Sequence, residues 1–250
     1  SKDFVRNNKI LVSIFIISTI FFLLQHKFYL GWDFSAYLIN AKYLFYGGDY
    51  FEVYRAPLIS ILLGFFMLFG VFAHYMYILF VSLLFFFSVV KLADVIYQSY
   101  ALKKGFRKKD TRIFLYLFLL TPFVLEFALM EGTELLGLAF FQLFLAAFLT
   151  NKTYGHYLGL AFLSRYNFLI FSIFLLFNKN YKKILKNISL FILIISPWLI
   201  YNRIKWGNFL TSVVDSYYLN VLSRSGIIES FKFSSFLIPI GYLLPLFFIG

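Results

Sequence analysis

Long apolar runs recur along the whole chain, and their length is the feature that most limits its fold. They have roughly 16 to 23 residues, close to the ~20 residues that an α-helix needs to cross a bilayer. None alternates polar and apolar residues as a membrane β-barrel strand does. With 62% hydrophobic residues and a mean hydropathy of +0.83, the chain carries more apolar surface than a soluble domain of 250 residues can bury. The sequence therefore predicts an all-α, polytopic transmembrane helical bundle that forms a single domain over 1–250.

Basic residues form three clusters beside apolar runs, so the net charge of +12 belongs to the membrane surface and does not indicate a nucleic-acid partner. The positive-inside rule places all three clusters, and with them the N-terminus, in the cytoplasm. The clusters are Lys2, Arg6 and Lys9; Lys103, Lys104, Arg107, Lys108, Lys109 and Arg112; and Lys179, Lys182, Lys183 and Lys186.

Three apolar runs separate the first two clusters, at 10–30, 57–72 and 76–98. Three crossings would leave the second cluster outside, so one run must fail to cross. The run 57–72 is the best candidate, because it is short and opens with Pro57, which suits the first turn of a helix. We therefore predict that 57–72 is an interfacial or re-entrant segment.

Residues 31–75 then form one long outer loop that contains juxtamembrane helices. The first would be an amphipathic helix along the membrane surface, because apolar side chains recur at helical spacing after Asp33. Asp33 is a candidate N-cap for this helix, and Gly47 with Gly48 supplies its stop.

The second half of the chain is predicted to contain further helices. The runs 112–130 and 134–150 form a hairpin whose turn faces outward. The stretch 155–178 is interrupted near Arg165, and a single crossing would bury that charge. We expect two short helices that meet at an outward-facing Arg165. A further span covers about 187–202.

Six charged side chains from three segments fall on the outer face of this topology and form the candidate site: Asp33, Glu52, Arg55, Glu131, Glu134 and Arg165. A carboxylate near the interface can act as a general base towards a hydroxyl, and a guanidinium can bind a phosphate bidentately. Structural roles are the alternative: a helix cap for Asp33, lipid anchoring for Arg55, and favourable charge at a helix N-terminus for the later glutamates. Arg165 fits that alternative least well, because an arginine between apolar helices is costly.

A series of short motifs runs through most of the chain. It comprises Trp32-Asp33 with Tyr37, Gly47-Gly48-Asp49-Tyr50, Arg55-Ala56-Pro57-Leu58, Phe69-Gly70, the segment from Glu131 to Glu134, the segment from Gly159 to Arg165, and Ser196-Pro197-Trp198 with Asn202 and Gly207. This order resembles the GT-C class of membrane glycosyltransferases, especially the protein O-mannosyltransferases and the transferases that attach aminoarabinose to lipid A. Members of that class have a long first outer loop, which the charge pattern predicts independently.

The resemblance implies a polyprenyl-phosphate sugar donor and a role for each matching residue. Asp33 would be the catalytic base or would orient the acceptor, and Arg55 and Arg165 would bind the donor phosphate. Glu134 would match the acid that opens the fourth helix of the family. Phe34 stands where many members carry a second acid, and the C-terminal helices and outer domain of the family are missing. We therefore expect the chain to be the N-terminal part of a longer GT-C module.

The expected function is transfer of a sugar from the polyprenyl-phosphate donor to an acceptor hydroxyl, on protein, lipid or glycan, at the extracytoplasmic face. Glu52, Glu131 and Glu134 would act as supporting acids. A divalent cation among Asp33, Glu131 and Glu134 would suit this chemistry, although the sequence does not require one. Membrane lipids are the other expected partners. A transporter or flippase for a lipid-linked anion, or a non-catalytic membrane subunit, would explain the same charges without a reaction.

Overall fold

The computed structural model describes residues 2–129, 134–178 and 180–222, and all regular elements in these ranges are helices. The α-helices are α1 (Lys2–Asn7), α2 (Lys9–Phe28), α3 (Trp32–Tyr46), α4 (Pro57–Phe66), α5 (Ala73–Ile96), α6 (Lys108–Leu119), α7 (Pro122–Phe127), α8 (Glu134–Leu149), α9 (Gly155–Ser164), α10 (Tyr181–Trp206) and α11 (Thr211–Tyr217). Tighter 3₁₀ segments cover Met67–Phe72, Leu102–Lys104 and Tyr166–Leu176, and wider π-helical turns cover Tyr97–Ala101 and Tyr218–Leu222.

Three helical segments within these ranges are long and apolar enough to cross a membrane. They are α2, the run Pro57–Lys104 that contains α4 and α5, and α10. The helix α8 and the segment Tyr166–Leu176 are shorter apolar helices. The predicted all-helical class is confirmed for the described residues, and these segments are consistent with a membrane protein, whereas the number and direction of the crossings stay predictions.

The helix α3 begins two residues earlier than expected and ends where expected. Its N-cap is Gly31, which provides no side-chain cap, so the prediction that Asp33 caps the helix is wrong. Asp33 is the second residue of α3, and its carboxylate pairs with Arg55. Gly47 closes the helix with φ 74°, a left-handed conformation that glycine adopts without steric cost.

The helix α4 starts at Pro57, as predicted, and packs against α3, α5 and α9. Gly64 allows the contact with α3, because a Cβ at this position would lie 2.2 Å from the ring of Phe45. The axis then breaks at Gly70, whose φ of 59° and ψ of −129° are not helical. This break separates α4 from α5 within an otherwise continuous helical run.

The predicted run 112–130 is not one helix. The helix α6 ends at Leu119, and α7 begins at Pro122. A proline disfavours helical backbone at the residue before it, and Thr121 is accordingly extended and caps α7 by accepting from the Val124 N–H at 3.3 Å. The outer turn of the predicted hairpin, residues 130–133, lies outside the described residues.

The stretch 155–178 is divided at Arg165, as predicted. Arg165 has extended backbone between α9 and the 3₁₀ segment Tyr166–Leu176. At its other end α9 approaches α10 closely, and the Asn187 side chain of α10 accepts from the backbone N–H groups of Tyr154 at 2.9 Å and Gly155 at 3.2 Å. These bonds satisfy donors at the start of α9 that have no partner within the helix.

Candidate functional site

A polar cleft of about 380 Å³ lies where the start of α3, the loop before α4, the start of α8 and the end of α9 meet. Four of the six predicted site residues line it, namely Asp33, Arg55, Glu134 and Arg165. The other lining residues are Trp32, Tyr37, Tyr54, Ala56, Tyr166, Asn167, Ser216 and Asn220. Glu52 lies behind Arg55, and Glu131 falls outside the described residues.

Arg55 is the most constrained charge in the cleft. Its Nη2 lies 2.8 Å from Asp33 Oδ1 and its Nε lies 2.5 Å from Glu52 Oε2. The rings of Tyr37 and Tyr54 lie 5.2 Å from the guanidinium carbon, within cation–π range. Burial alone would lower the pKa of Arg55, but the Asp33 carboxylate outweighs it and the net pKa is raised, so the guanidinium stays charged.

Glu52 positions Arg55 and does not line the cleft. Its side chain is only 7% exposed, and its Oε2 accepts from the Tyr54 hydroxyl at 2.6 Å as well as from Arg55. Burial, together with this hydrogen bond, raises the pKa of Tyr54 to about 12, so the hydroxyl remains a donor. Asn40 of α3 fixes the Glu52 backbone through two hydrogen bonds, one from the Glu52 N–H at 2.8 Å and one to the Glu52 carbonyl at 3.0 Å.

Glu134 and Arg165 form the second ion pair of the cleft. Glu134 is the first residue of α8, where the helix dipole favours a negative charge. Arg165 has its side chain 41% exposed, whereas that of Glu134 is 19% exposed. Arg165 is therefore more accessible than Arg55, whose side chain is 7% exposed. An anionic ligand could reach the Arg165 guanidinium by competing with Glu134.

A buried hydrogen-bond network ties the cleft to α10 and α11. Ser212 accepts from Asn202 Nδ2 at 2.8 Å and from Trp198 Nε1 at 3.0 Å. Its hydroxyl lies 2.9 Å from that of Tyr166, which donates to the Arg55 carbonyl at 3.3 Å. The network holds the backbone of Arg55 against α11, whose Ser216 forms part of the cleft wall.

An apolar groove of about 310 Å³ adjoins the polar cleft. Both are lined by Glu134, Arg165 and Asn167. The rest of the groove is apolar and is formed by Phe123, Val124, Leu138, Phe168 and Phe171. A molecule with an anionic group and a hydrocarbon chain could therefore place the first beside Arg165 and the second in the groove.

Metal binding has limited support in the part of the chain that is described. No group of three or more His, Cys, Asp or Glu side chains there is arranged to hold a metal ion. The predicted cation would involve Asp33, Glu131 and Glu134, and Glu131 lies outside the described residues.

The sequence reasoning missed the residues that hold the site in place. Asn40, Tyr54 and Ser212 contact the site residues, but each belongs to a type that is common throughout the chain. The sequence around Ser212 gives no local signal of its partners, which come from two separate helical segments. Trp198 and Asn202 had a signal, because they are part of the motif series.

Comparisons with known protein families, with curated proteins and with solved structures found no match for this chain. The function is therefore inferred from the geometry of the cleft and groove and from the order of the motifs.

Proposed function

We propose that the protein is a membrane glycosyltransferase of the GT-C type, which transfers a sugar from a polyprenyl-phosphate donor to an acceptor hydroxyl at the extracytoplasmic face. The observation that carries the proposal is the junction of the polar cleft and the apolar groove at Arg165. A polyprenyl-phosphate sugar has the three parts that this junction separates: a hydrocarbon chain, an anionic phosphate and a polar sugar. The order of the motifs supports the same class.

The two arginines would bind the donor phosphate. Arg165 is accessible where the cleft and the groove meet, and Arg55, held charged by its acids, lines the same cleft. Guanidinium groups suit phosphate oxygens because they donate two parallel hydrogen bonds. Their charge would offset the negative charge that develops on the phosphate as the sugar leaves.

Asp33 would be the catalytic base. Its carboxylate is 45% exposed in the cleft, and Arg55 orients it through Oδ1. As the acceptor oxygen attacks the anomeric carbon, Asp33 would take the hydroxyl proton. The bond between the anomeric carbon and the phosphate oxygen would break, and its electron pair would stay with the phosphate. The products are the glycosylated acceptor and the polyprenyl phosphate.

The test is sugar transfer from radiolabelled polyprenyl-phosphate sugars in membranes that contain the full-length protein. Asp33→Asn should lower kcat by about 100-fold or more, because the general base is lost. Arg165→Gln should mainly raise the KM for the donor, by about tenfold or more, because a charged hydrogen bond to phosphate is removed. Asp49→Asn is the control, since Asp49 is an exposed acid of the same loop and does not line the cleft.

Three outcomes are decisive. Equal activity of Asp33→Asn and the wild type would exclude Asp33 as the base. Loss of activity in Asp49→Asn would show that the assay reports general damage to the loop. If the wild type transfers no sugar across a panel of donors, the transferase proposal is wrong and a transporter or a non-catalytic subunit accounts better for the cleft.

A further inference from the structure

A second cavity, of about 460 Å³, lies at the other end of the bundle. The cleft is at the first residue of α8 and the last turn of α9, whereas this cavity is at the last turn of α8 and the first turn of α9. The 16 residues of α8 rise about 1.5 Å each, so the two sites are about 24 Å apart along the helix. The lining residues that matter here are Lys91, Asp94, Gln98, Lys152, Thr153 and Tyr157.

The cavity carries an excess of positive charge. Lys91 and Lys152 both line it, and Asp94 is its single carboxylate among the described residues. The Asp94 carboxylate is paired with two basic residues that do not line the cavity. Arg112 donates to its two oxygens at 2.7 and 2.8 Å, and Lys108 Nζ lies 3.2 Å from Oδ2. Asp94 therefore does not neutralise the two lysines, and the cavity suits an anion.

The end of α8 borders the cavity. The helix ends at Leu149, and two residues later Asn151 has a left-handed conformation, φ 55°. The Asn151 N–H donates to the Phe148 carbonyl at 3.0 Å, and the Lys152 N–H donates to the Ala147 carbonyl at 2.8 Å. This pair of bonds is a Schellman motif, which terminates helices at a defined residue. The position of Lys152 is thus set by the end of the helix.

Lys91 is held on the inner wall of the cavity. Its ammonium group lies 5.6 Å from the centre of the Tyr157 ring, a cation–π distance. Both lysines therefore border one concave space, and Gln98 and Thr153 add amide and hydroxyl groups that can donate to an anion. The volume is within the range of about 300–1,000 Å³ that is usual for small-molecule sites.

We propose that this cavity binds a phosphate ester group, and that in the membrane this group is the headgroup phosphate of an anionic phospholipid. Two apolar side chains near the lining residues in the helices are exposed: Phe87, one turn before Lys91 on α5, and Leu149, which precedes Thr150 at the end of α8, so lipid chains can lie beside the headgroup. Basic pockets between membrane helices are a recurrent type of site for anionic headgroups. The proposal does not depend on the transferase activity.

The test measures thermal unfolding of the full-length protein, purified in uncharged detergent micelles. Phosphatidylglycerol, added at about 100 times its Kd, should raise the Tm by about 5 °C or more, and phosphatidylcholine should not. Lys91→Gln/Lys152→Gln should abolish most of the increase. The control is Lys103→Gln/Lys104→Gln, which removes the same charge from exposed residues outside the cavity and should retain it.

Glycerol 3-phosphate is the second probe, because it carries the phosphate ester without the hydrocarbon chains. A rise in Tm with both probes that Lys91→Gln/Lys152→Gln abolishes supports a phosphate site open to soluble esters. A rise with the lipid alone supports a headgroup site. The proposal is overturned if phosphatidylglycerol gives no rise, or if the double variant keeps the full rise.

A single variant tests the proposal if the double variant does not fold. Lys152→Gln changes only one exposed side chain and should remove about half of the lipid-dependent rise in Tm or more. With phosphatidylglycerol near the wild-type Kd, native mass spectrometry should show a clearly smaller lipid-bound fraction for this variant than for the wild type. Equal lipid occupancy in the two proteins would also overturn the proposal.

Discussion

At the scale of single residues, Arg55 shows how the cleft keeps a charge in a nearly dry position. The side chain is 7% exposed, and burial of an unpaired cation there would be costly. The carboxylates of Glu52 and Asp33 both pair with the Arg55 guanidinium and offset the cost of burying its charge. Glu52 is buried and fixes the guanidinium from behind, whereas Asp33 is half exposed and faces the cleft. The two acids therefore have different roles, although the sequence analysis placed both in one site.

Replacing Glu52 should therefore destabilise the protein. Glu52→Ala removes the buried partner of Arg55 and the acceptor of the Tyr54 hydroxyl, and we expect a loss of about 3 kcal/mol in the free energy of unfolding. This corresponds to a fall in Tm of about 6–12 °C for a chain of this size. Thermal unfolding in detergent measures it. Asp49→Ala, an exposed acid in the same loop, should change stability by less than about 0.5 kcal/mol, and an equal effect of the two variants would contradict the role of Glu52.

At the scale of elements, local chemistry decides where several helices begin and end. Pro57 starts α4 and Gly47 ends α3, as the sequence predicts, because each residue restricts the backbone wherever it occurs. Pro122 acts in the same way but lies within an apolar run, where hydropathy alone hides the break. Asp33 is an N-cap by residue type, yet its carboxylate binds Arg55, a partner 22 positions away that no local pattern reveals.

The close approach of α9 and α10 gives a second prediction. A Cβ at position 155 would lie 1.9 Å from the Asn187 carbonyl oxygen, which is backbone and cannot rotate away. Gly155→Ala should therefore cost about 3 kcal/mol or more. Gly159→Ala is the matched control on the same helix, because its Cβ would meet the Ile194 side chain at 2.9 Å, which can move. We expect a cost of about 1 kcal/mol there. Similar Tm values for the two variants would contradict the prediction, because they would mean that α9 and α10 move apart at little cost.

At the scale of the whole molecule, the two ends of the bundle differ in charge and in shape. One end has the polar cleft with its paired arginines, and the other has the basic cavity beside α5 and α9. The sequence predicted the helical class and much of the cleft, because apolar length and exposed charges are properties of short segments. It did not predict the network around Ser212 or the groove beside Arg165, since both assemble side chains that are far apart in the chain.

The orientation of the two ends can be tested directly. The chain contains no cysteine, so single cysteines report without background. In intact cells, a membrane-impermeant maleimide should label Asp49→Cys, which lies in the predicted outer loop. It should label Lys104→Cys only after permeabilisation, because the positive-inside rule assigns that basic cluster to the cytoplasm. Labelling of Lys104→Cys from outside would mean that 57–72 crosses the membrane.

The bond between Asn187 and the start of α9 has a consequence for covalent modification. Asn187-Ile188-Ser189 is an acceptor sequence for N-linked oligosaccharides, but the Asn187 side chain is 1% exposed and its oxygen already accepts two backbone hydrogens. The folded protein offers no room for an oligosaccharyltransferase there. The predicted topology also places Asn187 at the cytoplasmic side, so a sugar chain found there after expression in eukaryotic cells would mean that this end of α10 faces outward and was modified before α9 and α10 came together.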